Sequence, residues 1–287
     1  MGGGVIQTVY MPIFFSISGI LHKNQAIAKI IRRLLIPYLT FYIMAVFVAF
    51  VKDLVKDSVF DWQSVLRPFL GETSGYENTA IWFLLALAQI KIITQSLNKI
   101  NNERYALLIS IGLSIVGYAL GKHYGAYPYY LSVALLCQIF YFIGFRFKDY
   151  FVARISLLEI VFLFMILSTI FLLNPSGCNV SMNHIPIEYC TFVILSLVAV
   201  RLCIGMSDKI DCCKTISGVS RILRYYGVNS LIVFGTHLML IGITPVIGKI
   251  INVPDIYIPA SMIVIMILEI PIIFFFNKYG KFLLGKY

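Results

Sequence analysis

The sequence predicts an all-α integral membrane protein, and two features of its composition support this prediction. Of the 287 residues, 60% are hydrophobic and 13% are charged, whereas a soluble domain carries about a quarter charged residues. The mean hydropathy is +0.89, and an ordinary core would not bury so much apolar surface. The bilayer is therefore the expected solvent for most of a single domain over residues 1–287.

Nine stretches of mostly apolar residues are long enough to cross a hydrocarbon layer of about 30 Å as helices. The connections between them are more polar, and the one at 52–79 has mixed charge and suggests a short interfacial helix near Trp62. We expect about nine transmembrane helices, at residues 5–21, 34–51, 80–97, 105–121, 128–145, 155–173, 187–205, 230–248 and 257–276.

The distribution of Lys and Arg between the connections predicts the orientation. One alternating set of connections contains 16 of these residues and the other set contains 5. Because basic residues gather in cytoplasmic loops, we expect a multi-pass protein of the cell (plasma or inner) membrane, with its amino terminus outside and its carboxyl terminus in the cytoplasm. The basic set comprises 22–33, 98–104, 146–154, 206–229 and 277–287.

The charge and the cysteines exclude several other classes of protein. A formal net charge of +10 would suggest nucleic acid in a soluble protein, but the positive-inside distribution accounts for it and no nucleic-acid-reading module is present. The six cysteines form no metal-binding pattern, so neither a metal nor a nucleic acid is expected. Cys178 and Cys190 flank one loop; they either pair or are two unrelated thiols.

The predicted spans contain few ionisable residues, which are costly and rare there. His237 is either functional or makes a helix-packing hydrogen bond. Glu269 precedes Pro271 and is either functional or a buried partner for an Arg or a Tyr. Lys91 and Arg201 lie near cytoplasmic ends, which favours snorkelling to the headgroups. Glu159 lies close to the interface, so it either snorkels in the same way or is functional.

Two basic clusters and one glycine pattern have further interpretations. Lys29, Arg32 and Arg33 form either a topogenic cluster or a site for an anionic cofactor or lipid headgroup, because guanidinium groups bind phosphate well. Arg146 belongs to a second basic edge with Lys148 and Arg154. The Gly-x-x-x-Gly spacing in "GYALGKHYG" at 117–125 favours close helix packing, because no Walker lysine follows it.

Five segments in order resemble the acyltransferase-3 family of integral membrane O-acyltransferases, which includes fucose 4-O-acetylase-like and polysaccharide O-acetyltransferases. Together they cover nearly the whole chain. They are "YMPIFFSISGIL" from position 10, "RRLLIPYL" from 32, "AIWFLLAL" from 80, "FYFIGFRFKDY" from 140 and "GVNSLIVFGTHLML" from 227.

The resemblance implies transfer of an acetyl or similar acyl group from a cytoplasmic acyl-CoA, acetyl-CoA above all, to a hydroxyl of a cell-surface or lipid-linked sugar. It implies a catalytic role for His237, because a hydroxyl needs a general base at neutral pH. Lys29, Arg32, Arg33 and Arg146 are then expected to bind the donor. The residues expected to bind the acceptor are Trp82, Asn229, Ser230 and Glu269.

The family fold typically has ten spans with both ends in the cytoplasm, so nine spans correspond to that fold without its first helix. The resemblance implies that the first helix supplies a basic residue and a His that is central to acyl transfer. Without this helix, the chain is expected to be either an active member of the family or a degenerate, inactive one. A non-catalytic membrane partner of a sister enzyme is a further hypothesis. The alternative from another class is a transporter or flippase for polysaccharide or lipid, although no internal repeat supports it.

Overall fold

The described part of the chain is built from α-helices and contains no β-strand, only a single bridge between Asn179 and His184. The computed structural model describes residues 3–55, 59–70, 80–126, 128–173, 178–213, 217–250 and 258–285. The helices are α1 (Gly3–Ile20), α2 (Ile27–Val55), α3 (Trp62–Leu66), α4 (Trp82–Leu97), α5 (Glu103–Tyr124), α6 (Leu131–Arg146), α7 (Lys148–Val152), α8 (Leu157–Leu173), α9 (Tyr189–Cys212), α10 (Ser217–Val228), α11 (Ser230–Ile250) and α12 (Ile258–Lys278).

The predicted spans coincide with the longer of these helices: α1, α2, α4, α5, α6, α8, α9, α11 and α12. Within the described residues, three helices are long and apolar enough to cross a membrane by length and composition alone: Ile27–Leu54, Glu103–Tyr124 and Tyr189–Cys212. Shorter apolar helices accompany them. The all-α prediction is therefore confirmed, whereas the number of nine spans stays a prediction.

Three short-range features refine the predicted pattern. A short helix is present near Trp62 as α3, and Asp61 caps it by accepting a hydrogen bond from the Gln63 amide at 2.9 Å; its interfacial position stays a prediction. The second span begins at Ile27, not at residue 34, so the basic cluster lies on the first turns of α2. Helix α10 forms in the segment 206–229, where only a connection was expected.

The chain forms two compact units, each made of two separate segments. The first unit comprises Met1–Ala26 and Gln89–Arg221, and the second comprises Ile27–Ala88 and Ile222–Tyr287. The single domain predicted over the whole chain stays a prediction.

Small residues bring the helices of the first unit into close contact. A Cβ at Gly117 would lie 2.2 Å from the Leu136 amide nitrogen, and a Cβ at Gly144 would lie 2.2 Å from the Ser16 carbonyl oxygen. The Ser114 hydroxyl also donates to the Leu136 carbonyl at 2.6 Å. The packing role predicted for Gly117 is confirmed, since a larger side chain there would push α5 away from α6.

The connection before α9 packs onto the helices of the first unit. The Asn183 side-chain amide donates to the Gly117 carbonyl at 3.0 Å, and the Cys178 amide donates to the Thr8 hydroxyl at 3.1 Å. Cys178 is buried and Cys190 is exposed, and both are free thiols. The structure therefore agrees with two unrelated thiols and not with a disulfide between Cys178 and Cys190.

Arg201 does not snorkel, which corrects the prediction from its position. It is 5% exposed, and its Nη1 donates to the carbonyl oxygens of Tyr150, Phe151 and Ala153 at 2.8–3.0 Å. Its Nε donates to Glu159 at 3.0 Å. A buried guanidinium thus satisfies carbonyls at the end of α7, a position where cations are favourable.

In the second unit, Gly235 and the aromatic rings determine how α11 meets its neighbours. A Cβ at Gly235 would lie 2.5 Å from the ring of Phe41, which is fully buried. The Phe41 ring also packs against Phe276 with centroids 5.7 Å apart. The absence of a side chain at Gly235 therefore lets α11 approach α2 closely.

Candidate active site

Most of the residues predicted to form the site belong to one unit. Arg146 lies in the first unit, and the other eight lie in the second. These eight are Lys29, Arg32, Arg33, Trp82, Asn229, Ser230, His237 and Glu269.

Thr236 and Glu269 form a buried polar pair between α11 and α12. The Thr236 hydroxyl lies 2.9 Å from Oε1 and 2.8 Å from Oε2 of Glu269, and the two residues are 2% and 1% exposed. Among the described residues, neither a cation nor a tyrosine hydroxyl bonds to this carboxyl group. The sequence suggested an Arg or a Tyr as the partner of a buried Glu269. In the structure, the partner is the Thr236 hydroxyl instead.

The hydrogen count of this pair allows two proton arrangements. Thr236 Oγ1 also lies 2.8 Å from the Ile232 carbonyl oxygen, and a hydroxyl has only one hydrogen to donate. Thr236 either donates to an ionised Glu269, or donates to Ile232 and accepts from a protonated Glu269. The pair can therefore hold or release a proton without moving its heavy atoms.

His237 follows Thr236 on α11, and its tautomer is determined by the backbone. Nδ1 lies 2.9 Å from the Val233 carbonyl oxygen. Because a carbonyl only accepts, Nδ1 carries the hydrogen, and Nε2 of the neutral ring keeps its lone pair. The side chain is half-buried and its ring lies 5.8 Å from that of Phe234. His237 thus has the form that a general base requires.

Asn229 joins the start of α11 to the end of α12. Its side-chain amide donates to the Tyr225 carbonyl at 2.9 Å, and its Oδ1 accepts from Asn277 at 2.7 Å. Asn229 is buried, whereas Ser230 is half-buried at the first position of α11. The Asn229 amide is therefore engaged within the protein, and its neighbour Ser230 is the more accessible of the two.

Trp82 begins α4 and is 1% exposed. The adjacent Phe83 packs on Phe234 with ring centroids 5.2 Å apart, one turn before His237 on α11. This aromatic contact ties the start of α4 to the helix that carries the candidate base.

The basic residues of α2 form an exposed face, which we call the α2 basic face: Lys29, Arg32 and Arg33. Their spacing of three and four residues puts them on one side of the helix. The carboxyl-terminal turn at Phe282–Leu284 packs beside them. Gly285, which ends this turn with φ +63°, makes the close approach possible, because a Cβ there would lie 2.7 Å from the Arg32 carbonyl oxygen. Lys281, which precedes this turn, is exposed and was not linked to the cluster from the sequence.

Arg146 has a different environment in the first unit. Its guanidinium forms an ion pair with Glu103 at the start of α5. The sequence analysis did not anticipate this partner, because the two residues are 43 positions apart.

His22 is a second histidine and lies in the first unit just beyond α1. Its sequence position alone did not indicate a role. Because the Asn24 Oδ1 only accepts, His22 Nε2 donates to it at 3.1 Å, and Nδ1 accepts from the Tyr141 hydroxyl at 2.7 Å. Burial lowers the pKa of His22 and nearby Lys91 lowers it further, while the hydrogen bond to Asn24 raises it. His22 is therefore a neutral, structurally engaged histidine.

The second unit also contains an apolar cavity. A cavity of about 540 Å³ lies between α2 and α12, and Thr40 is the one polar residue among those that line it. Within the described part of the chain there is no group of three or more His, Cys, Asp or Glu side chains arranged to hold a metal ion.

An all-α chain with long apolar helices, a buried hydroxyl–carboxyl pair and an adjacent histidine is consistent with a membrane-embedded transferase. The model of the acyltransferase-3 family, described as an acyltransferase domain, matches residues 2–277. The chain belongs to this family and is a membrane protein with an acyltransferase domain. Neither the curated proteins nor the solved structures contain a match to it. Nothing in these comparisons supports the transporter or flippase alternative.

Proposed function

We propose that this protein is a membrane O-acyltransferase, which transfers an acetyl or similar acyl group from cytoplasmic acyl-CoA to a hydroxyl of a cell-surface or lipid-linked sugar. The observation that carries the proposal is the tautomer of His237: its Nε2 lone pair is available one residue from the buried Thr236–Glu269 pair. The proposal includes the orientation expected from the basic residues, with the carboxyl terminus and the α2 basic face in the cytoplasm of the cell (plasma or inner) membrane.

His237 acts as the general base in this proposal. Its Nε2 accepts the proton of the acceptor hydroxyl as that oxygen attacks the thioester carbonyl. His237 then gives the proton to the departing thiolate, so that an ester C–O bond forms as the thioester C–S bond breaks. The Val233 carbonyl, which accepts from Nδ1 at 2.9 Å, favours the positive charge that develops on the ring.

In this proposal, Glu269 acts on the acceptor and Thr236 positions it. The Thr236 hydroxyl fixes the orientation of the Glu269 carboxyl group between α11 and α12. Glu269 accepts a hydrogen bond from a sugar hydroxyl in this proposal, together with the more accessible Ser230. Asn229 and Trp82 would reach the acceptor only if the buried Trp82 ring and the engaged Asn229 amide became accessible on binding.

The α2 basic face fits a phosphorylated donor. Lys29, Arg32 and Arg33 are exposed on one side of α2, and guanidinium and ammonium groups are the usual ligands of phosphate. The acyl donor supplies an activated carbonyl, and these side chains hold its phosphates at the membrane surface. Arg146, in the first unit, is a separate candidate for donor binding in this proposal, because its segment is also predicted to lie on the cytoplasmic side.

The test is acyl transfer in membranes from cells that lack the gene. Membranes with the restored wild-type chain are expected to transfer radiolabel from acetyl-CoA to surface or lipid-linked glycan, and mass analysis is expected to find O-acetyl groups that the deletion lacks. His237→Gln is expected to lower the rate about 100-fold or more, whereas His123→Gln, which changes a histidine near the end of α5, is the matched control. Unchanged glycan acylation in deleted and restored cells, or full activity of His237→Gln, would refute the proposal.

A further inference from the structure

A second cavity lies in the first unit, and none of the residues that line it has been assigned a role in the proposed reaction. Its volume is about 360 Å³. Apart from Tyr150 and Arg201, its walls are hydrocarbon side chains, so it suits an apolar chain better than a hydrated solute. These wall residues are Ile143, Phe147, Phe151, Leu163, Leu197 and Val198.

Arg201 places an unsatisfied donor in this lining. Its Nε and Nη1 are used by Glu159 and by the three carbonyl oxygens at the end of α7. For Nη2, the described residues supply no hydrogen-bond acceptor, although Arg201 as a whole is 5% exposed. Nη2 is therefore the part of the guanidinium that is left to bond an oxygen atom of a ligand in the cavity, and such a bond to an anion would be charge-assisted.

The charges beside the cavity favour an anion. Lys148 and Arg154 are exposed at the two ends of the α7 segment, and neither forms an ion pair with a described residue. Asp149 lies between them, and Glu159 balances part of the charge of Arg201. Three cations therefore face two carboxylates, and one additional negative charge would neutralise the group.

We propose that this cavity, which we call the Arg201 cavity, binds one anionic phospholipid. Its acyl chain lies between α6, α8 and α9, and its phosphodiester accepts a hydrogen bond from Arg201 Nη2 within the field of Lys148 and Arg154. The segment 146–154 is predicted to lie on the cytoplasmic side, where the leaflet is rich in anionic lipids. This proposal does not depend on the acyltransferase reaction and stands or falls separately.

The binding test uses the full chain purified in a mild detergent and titrated with three probes. Native mass spectrometry is expected to detect one dioleoyl-phosphatidylglycerol per chain, bound at least about 25-fold more tightly than dioleoyl-phosphatidylcholine, since Lys148 and Arg154 each contribute about fivefold near the headgroup. Inorganic phosphate at the same concentration is expected not to compete. Equal affinity for the two lipids would overturn the proposal, and so would effective competition by phosphate, which would indicate an anion site without a lipid.

Two variants locate the bound lipid without changing Arg201, which α7 needs for its carbonyl groups. Val198→Trp fills the cavity and is expected to abolish the preference for phosphatidylglycerol. Leu172→Trp is the matched control, because Leu172 is 79% exposed on α8 and does not line the cavity. Unchanged lipid preference in a folded Val198→Trp variant would contradict the proposal.

The second variant changes only exposed side chains, so it decides the question even if Val198→Trp fails to fold. Lys148→Gln with Arg154→Gln is expected to weaken phosphatidylglycerol binding by about 25-fold and to leave phosphatidylcholine binding unchanged. A double Lys52→Gln and Arg67→Gln variant, at the predicted outer side, controls for the loss of two charges. Equal losses in the two double variants would show that net charge alone attracts the lipid and would refute the site.

Discussion

Each of the two units has a glutamate on a long apolar helix, and the partners of these two glutamates differ. Glu159 meets the Arg201 guanidinium, which also satisfies three backbone carbonyl groups. Glu269 is 1% exposed and meets only the Thr236 hydroxyl among the described side chains. The Arg201 charge is balanced by Glu159 and by fixed carbonyl groups, an arrangement that stabilises the fold. The Glu269 carboxyl group has only a neutral hydroxyl as its partner, so it can still take up or release a proton.

The largest change in stability is expected from breaking the first of these arrangements. Arg201→Met leaves Glu159 and three carbonyl oxygens without their donor, which is expected to cost about 3–5 kcal/mol of unfolding free energy. Denaturant unfolding in detergent measures this loss. Glu159→Gln, which keeps the shape of the side chain, is the control and is expected to cost much less, because the side chain of Glu159 is 34% exposed. A small loss in Arg201→Met would mean that the guanidinium does not hold α7.

Removing the hydroxyl from the second arrangement sharpens the contrast. Thr236→Val leaves the buried Glu269 carboxyl group without its hydrogen-bond partner, which is expected to cost about 1–3 kcal/mol and to lower acyl transfer about tenfold. Thr236→Ser keeps the hydroxyl and is expected to retain most of the activity. Rate measurements normalised to folded protein check both variants, and equal rates for Val and Ser would remove Thr236 from the site.

The position of α11 can be changed without touching its polar groups. Gly235→Ala puts a Cβ 2.5 Å from the Phe41 ring and is expected to cost about 1–3 kcal/mol by overpacking. Gly242→Ala on the same helix is the matched control, because nothing lies within 4 Å of a Cβ there. Thermal unfolding of the two variants measures the difference, and equal stability would mean that α11 does not need the close approach to α2.

The smallest effect is expected at His22. Its pKa in the folded protein is lowered, chiefly by burial, so the unfolded chain binds a proton more readily than the folded one. Stability from His22 is therefore complete above the unfolded pKa of about 6.5 and is lost as the pH falls below it. Melting temperatures between pH 7.5 and 5 are expected to fall more steeply for the wild type than for His22→Gln. Parallel pH profiles would contradict this assignment.

Hydropathy alone predicted the long apolar helices, because each long apolar stretch must satisfy its backbone hydrogen bonds internally in a bilayer. It misjudged the start of α2, since Lys29, Arg32 and Arg33 are good helix formers and extend the helix beyond the apolar stretch. It missed α10, whose residues alternate in polarity at the helical period and lack the apolar run of a span.

The candidate site was predictable residue by residue but not as an arrangement. His237 and Glu269 stand out from the sequence because ionisable residues are rare in apolar helices. Thr236 does not stand out, and its partner lies 33 residues away on another helix. Similarly, the partners of Arg201 lie 42–51 residues away, so its position near a helix end suggested snorkelling instead of a buried support for α7.

We propose that the Glu269 carboxyl group takes part in the reaction, whereas the Glu159 carboxylate stabilises the fold. The most direct test is the rate of acetyl transfer by Glu269→Gln and Glu159→Gln in membranes, each divided by the amount of folded chain. Glu269→Gln is expected to lose most of its activity while its melting temperature changes little, and Glu159→Gln is expected to retain full activity per folded molecule. Wild-type activity in folded Glu269→Gln would contradict this proposal.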